Sequence, residues 1–183
     1  AITLGGNHIN FGMVSGTPNV HDNINGRRIG NMADYEKLIK MGQYFNVISL
    51  FGNQAVAPTD LPANNRHMDT TMANLVLSDK PFYAQGIGAG RVRDAINLTA
   101  IAMGKSVEEL AASGVSAMTN VNVNSPRKLD DSMAYGAMQM AMAGQATTVT
   151  PFTLMGAMTP ATMAGALAQQ NAEALFGVCL IQL

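Results

Sequence analysis

Apolar and polar positions along the chain alternate between two periods. Short strand-like runs begin near Ile9, Asn46, Pro81, Val115 and Ala146. Between them apolar residues recur every three or four positions, the pattern of an amphipathic helix. The run starts lie 37, 35, 34 and 31 residues apart, the size of a βαβ unit. Helix boundaries are marked as well. Asn31 is placed to cap a helix over 32–45, and Asn64 or Asn65 opens one running to about Leu77. A third covers 91–103, stopped by Gly104, and Ser106 caps a short one over 107–113. Asp130 or Asp131 begins a helix ending at Gly144. Thr159, with Pro160 in the first helical position, opens the last.

Strand and helix alternating at this period predict an α/β fold with a parallel sheet. A (β/α)8 TIM barrel needs about 250 residues, so a 183-residue chain holds about five of its eight units. A doubly wound five-stranded sheet is the structural alternative. The chain opens on an apolar run at residues 1–4 and stops at Leu183 inside an apparent helix. We therefore expect residues 1–183 to be part of a single barrel domain, incomplete at both ends.

The expected strands differ from ordinary buried parallel strands, which read as Val, Ile and Leu runs. The fourth contains Asn120, Val121, Asn122, Val123 and Asn124. Side chains alternate along a strand. The asparagines then share the inner face and the valines meet the helices. The same parity groups Thr148, Thr150 and Phe152 on the fifth strand, Tyr83 with Gln85 on the third, and Ser49 with Phe51 on the second. Barrel sites lie at the carboxyl ends of strands. Phe51, Tyr83, Gln85, Asn122, Asn124, Thr150 and Phe152 are thus the candidate substrate-binding residues.

Composition sharpens this picture. Charged residues make up 13% of the chain, about half the ordinary ~25%. Net charge −1 and a pI near 6.3 give no electrostatic footprint for nucleic acid. No basic run marks a membrane surface. The most apolar stretch, 159–183, carries Gln169, Gln170, Asn171 and Glu173 in its middle, so no membrane span is expected. A single cysteine, Cys179, excludes an intrachain disulfide framework and suits a reducing, cytoplasmic setting. We also expect a homo-oligomer.

Obvious reactive groups are scarce. His8, His21 and His67 are not at metal-ligand spacing, and no metal site is expected. His67 reads as structural and His21 as a loop residue. The segment from Gly86 to Arg91 follows a strand and opens a helix, but Arg91 stands where a dinucleotide fingerprint needs glycine. It reads as a plain turn. Met133, Met138, Met140 and Met142 read as packing residues. An inner face of amides, hydroxyls and rings suits a methylated ammonium, because such cations bind over aromatic faces. Loss of one methyl leaves a neutral amine, so no general acid is needed, and the nucleophile must come from outside the chain.

The run from Thr150 to Leu175, above all Gly156 to Glu173, resembles the trimethylamine methyltransferase family. Looser similarities are Asn122-Val123-Asn124-Ser125-Pro126, Gly144-Gln145, Asp60-Leu61-Pro62 with Arg66-His67, Ser78-Asp79-Lys80-Pro81-Phe82, Asn10-Phe11-Gly12 and Thr17-Pro18-Asn19-Val20. The resemblance implies a (β/α)8 barrel enzyme that takes a methyl group from trimethylamine or a betaine. The acceptor it implies is the Co(I) of a corrinoid (cobalamin) carried by a separate partner protein, with no cofactor bound directly by this chain. Trimethylamine-specific members carry a pyrrolysine in a later strand; relatives without it use quaternary amines such as glycine betaine. The chain ends before that region, and a relative without pyrrolysine is expected. The resemblance carries no catalytic residue over to this chain. Two other readings are a non-catalytic quaternary-amine-binding barrel and an unrelated TIM-barrel lyase.

Overall fold

The computed structural model describes residues 2–52 and 54–183. Ala1, the first residue of the expected strand-like start, lies outside the described residues. Ile2 to Leu4 form no strand, and Leu4 is exposed.

Five parallel strands follow one another in space in chain order. β1 (Phe11–Gly12) pairs with β4 (Ile48–Leu50). β4 is continued by a parallel bridge between Phe51 and Phe82, which leads into β5 (Tyr83–Ala84). β5 pairs with β6 (Met118–Asn124), and β6 pairs along its whole length with β7 (Ala146–Phe152). This order has no reversal and so no switch point of the kind a doubly wound sheet requires. It is consistent with an arc of a (β/α) barrel.

An antiparallel hairpin absent from the expected pattern follows β1: β2 (Asn19–Asp22) and β3 (Gly26–Ile29). His21 therefore lies in a strand of this hairpin, not in a loop. The Asp22 carboxylate accepts the Ile24 and Asn25 N–H groups at 2.9 and 2.7 Å and so forms the turn.

The helices close on one face of the strands. They are α1 (Met32–Tyr44), α2 (Arg66–Leu77), α3 (Ala89–Ala102), α4 (Val107–Ala112), α5 (Asp131–Met142) and α6 (Met163–Gln182). Asn31 and Ser106 cap α1 and α4 as expected, each in a reciprocal box with Asp34 or Glu109. The last helix starts later than expected. Thr162, not Thr159, caps α6, its hydroxyl accepting the Gly165 N–H at 3.3 Å. The Thr159 carbonyl is already taken by the Gly156 N–H, and its own N–H bonds the Leu154 carbonyl. The segment therefore closes on itself before a helix can begin.

Two apolar clusters lie between strands and helices. Val92, Ile96, Ala100, Leu110, Ala117, Met140 and Ala143 form one. Tyr35, Ile39, Phe51, Ala55, Val56 and Ala73 form the other. Gly42 of α1 makes room for the Phe51 ring, since a Cβ there would lie 2.3 Å from its edge. Met140 is fully buried while Met142 is exposed, so the methionines pack as ordinary core and surface residues. The glycine-rich turn between β5 and α3 is a packing device. A Cβ on Gly86 would lie 2.6 Å from the Asn120 carbonyl oxygen, and the Gly88 N–H is committed to the Ser132 carbonyl at 2.9 Å.

The hairpin is fastened to α1 by Arg28, whose guanidinium grips the buried Asp34 carboxylate through both terminal nitrogens. These hydrogen bonds outweigh the effect of burial and hold the Asp34 carboxyl below the usual aspartate value of 3.8. A depressed folded-state pKa adds stability above the unfolded value and loses it as pH falls through the folded value. Asp34→Asn should cost about 1–3 kcal/mol at neutral pH. In urea unfolding at several pH values, that deficit should shrink as the pH drops below 3.8.

Candidate functional site

The ladder between β6 and β7 sets the site. Its register pairs Asn120 with Thr148, Asn122 with Thr150 and Asn124 with Phe152. Val121 and Val123 are buried beneath the helices, while all three asparagines are half-buried on the opposite face. The expected parity of these strands is what the structure has.

Side chains on this face are tied together across strands. Tyr83 Oη and Thr148 Oγ1 lie 3.1 Å apart, so β5 reaches across β6 to β7. Thr150 Oγ1 lies 2.5 Å from Asn122 Oδ1 and 3.1 Å from Asn120 Oδ1. The Asn120 amide donates to Asn122 Oδ1 at 3.3 Å. One hydroxyl has one proton, so Thr150 serves one asparagine at a time and the second is held by its neighbour. Phe152, at the carboxyl end of β7, is 53% exposed beside the polar rungs. Gln85 lies one residue past β5, half-buried, on the Tyr83 side by alternation.

Six of the seven expected residues are therefore contributed by the neighbouring strands β5, β6 and β7. Phe51 is not among them. It is fully buried, packed with Tyr35, Ile39 and Ala73 on the helix side. The parity of β4 is the reverse of the one expected. Leu50, not Phe51, lies against Gly12 of the neighbouring strand. The reason is area: an aromatic ring gains most when it faces apolar helices, and Gly42 provides the space.

Two carboxylates at the carboxyl end of β6 escape a reading by strand parity. Asp130 reads as a helix start, yet its side chain caps no backbone group of α5. Instead it accepts the Asn124 amide at 2.6 Å and lies 3.5 Å from Lys128 Nζ. Glu173 of α6, 3% exposed, accepts the Ser125 hydroxyl and the Arg127 and Gln169 N–H groups. Burial pushes the Glu173 carboxyl up, but those three donors, with the Arg127 charge, outweigh it and hold the group below the usual glutamate range. Arg127 has φ 54, a left-handed conformation that costs a non-glycine residue about 1–3 kcal/mol. Its N–H bond to Glu173 offsets part of that cost. The signal in the sequence was a lone acid in an apolar helix, four residues after Gln169.

The histidines lie apart from this face. His67 is buried in α2, with Nε2 2.7 Å from Asp94 of α3, a helix-to-helix tie. His8 and His21 are exposed. No group of three His, Cys, Asp or Glu side chains among the described residues is arranged to hold a metal ion.

Parallel strands covered by helices on one face, with a polar and aromatic opposite face, define an α/β protein of the kind that builds sites at strand ends. Residues 1–183 match the model of the family described as Trimethylamine methyltransferase (MTTB), and the chain belongs to that family. A glycine betaine methyltransferase of Desulfitobacterium hafniense (strain Y51) is 30% identical over 181 residues. The match covers 99% of this chain, which spans 37% of the length of that curated relative. This is a methyltransferase family, as the resemblance implied. No helix among the described residues is long and apolar enough to cross a membrane.

The Thr150 hydroxyl is the shared point of the amide network. Thr150→Val should cost about 0.5–1.5 kcal/mol in chemical denaturation, whereas Thr150→Ser should stay close to the parent.

Proposed function

We propose that the complete protein transfers a methyl group from a methylated amine, trimethylamine or a betaine-type quaternary amine, to a corrinoid on a separate protein. The proposal includes a closed (β/α)8 barrel, of which this chain supplies about five consecutive units. The observation that carries it is the face of β6 and β7. Neutral amides, hydroxyls and an exposed ring stand where other barrel enzymes place acids and bases.

Phe152 and Tyr83 offer ring faces to the methylammonium charge. Asn122, Asn124 and Gln85 orient the substrate, or a carboxylate on it, and Thr150 fixes the first of these amides. With a quaternary substrate such as glycine betaine, the reacting C–N bond breaks with its electron pair returning to nitrogen, which leaves as an uncharged tertiary amine nitrogen. That step asks no proton of the protein. The reduced corrinoid would supply the electron pair that takes up the methyl carbon. The corrinoid is a co-substrate in this reading, and the fit rests on six residues whose two hydroxyls, Tyr83 and Thr150, are paired with a neutral hydroxyl and neutral amides rather than with an activating base. A cytoplasmic setting is proposed from the single unpaired Cys179. Self-association is proposed from exposed apolar residues such as Met72 and Val76 on α2.

The test is a screen of methylated amines with the complete protein and cob(I)alamin as acceptor, reading the demethylated amine. Turnover of glycine betaine is the expected result; binding without turnover would point to a non-catalytic binder. Phe152→Ala should weaken amine binding by about 0.5–2 kcal/mol. Unchanged affinity for every methylated amine in that variant would remove the ring from the site.

A further inference from the structure

We infer that Glu173 is a positioning residue for the substrate-facing end of β6. This deepens the proposed function and rests on it, because it takes Asn124 to be a substrate contact.

The turn that closes β6 is held from both sides. On one side Asn124 and Lys128 exchange backbone hydrogen bonds of 2.6 and 2.9 Å, and the Asn124 amide donates to Asp130. On the other, Glu173 reaches in from α6, more than forty residues along the chain. One carboxylate oxygen accepts the Ser125 hydroxyl at 2.5 Å. The second accepts the Arg127 N–H at 2.8 Å and the Gln169 amide at 2.9 Å. Ser125 directly follows Asn124, so the clamp acts one residue from the candidate substrate contact.

The helix carrying this carboxylate has no other charged residue. Its neighbours Ala172 and Phe176, with Val123, Arg127 and Gln169, line a cavity of about 390 Å³ beside the clamp. An acid in such surroundings is costly unless its oxygens are filled, and here three donors from two segments fill them. α6 thus sets where the end of β6 stands. Loss of the clamp frees Arg127 from its left-handed conformation and lets the turn, with Asn124, move.

Two measurements on the complete protein test this. The first is the rate of limited trypsin cleavage after Arg127 and Lys128, which does not depend on any ligand. The second is glycine betaine affinity by calorimetry. Glu173→Ala should speed cleavage at both sites and weaken betaine binding by about tenfold, the size of one charge-assisted hydrogen bond. In an Asn124→Ala background the same change should weaken binding no further, because the residue it positions is gone. If Glu173→Ala fails to fold, Glu173→Gln carries the same comparisons with smaller shifts. Cleavage rates equal to the parent's would overturn the clamp. Unchanged affinity in Glu173→Ala, with weakened binding in Asn124→Ala, would overturn the positioning role and leave the proposed function intact. If neither Asn124→Ala nor Phe152→Ala altered binding, the proposed site itself would fall, and the positioning role with it.

Discussion

The parallel ladder of β6 and β7 is the constraint on which the rest of the structure depends. Seven residues of each strand pair without a slip. Because side chains alternate, a slip of one residue would turn the asparagines to the helices and the valines to the open face. Burial of Val121 and Val123 against the helix layer therefore fixes, at the same time, where Asn120, Asn122 and Asn124 stand. The amide and hydroxyl network is a consequence of apolar packing on the other side of the same strands.

That network is neutral, and three carboxylates of the chain serve as fasteners. Asp130 holds Asn124 and Lys128, Glu173 holds the following turn, and Asp34 holds the hairpin to α1. In each case a carboxylate ties a loop to an element distant from it or closes a strand end. These three carboxylates fasten segments, and the face of β5, β6 and β7 is left to rings and uncharged dipoles. A cation without N–H donors is suited to such a face, since it needs polarisable surface more than a hydrogen-bond acceptor.

How much of this was legible in the sequence varies by element. The Asn31 and Ser106 caps were legible because capping is a local contact within three residues. The parity of β6 was legible because strict alternation of Asn and Val leaves one burial solution, and the unslipped pairing carries that parity to β7. Phe51 was not. Its strand is three residues long and continues as a single bridge, too short for alternation to outweigh the pull of an aromatic ring toward the helices. Thr159 was misread as a cap because the turn that consumes its carbonyl depends on Gly156 and Leu154 closing in space. The hairpin of β2 and β3 lay hidden because its polar residues carry no apolar alternation.

The sequence by itself determined the repeat of strand and helix, the scarcity of charge and the polar face of the two longest strands. These follow from local periodicity and composition, which any fold of the chain must satisfy. Only the tertiary structure decided the chain-ordered parallel pairing, the helix-side burial of Phe51, and the meeting of Glu173 with Ser125 and Arg127. Those contacts join residues far apart along the chain. Their partners are chosen by which surfaces the packed helices bring together, a choice no local pattern records.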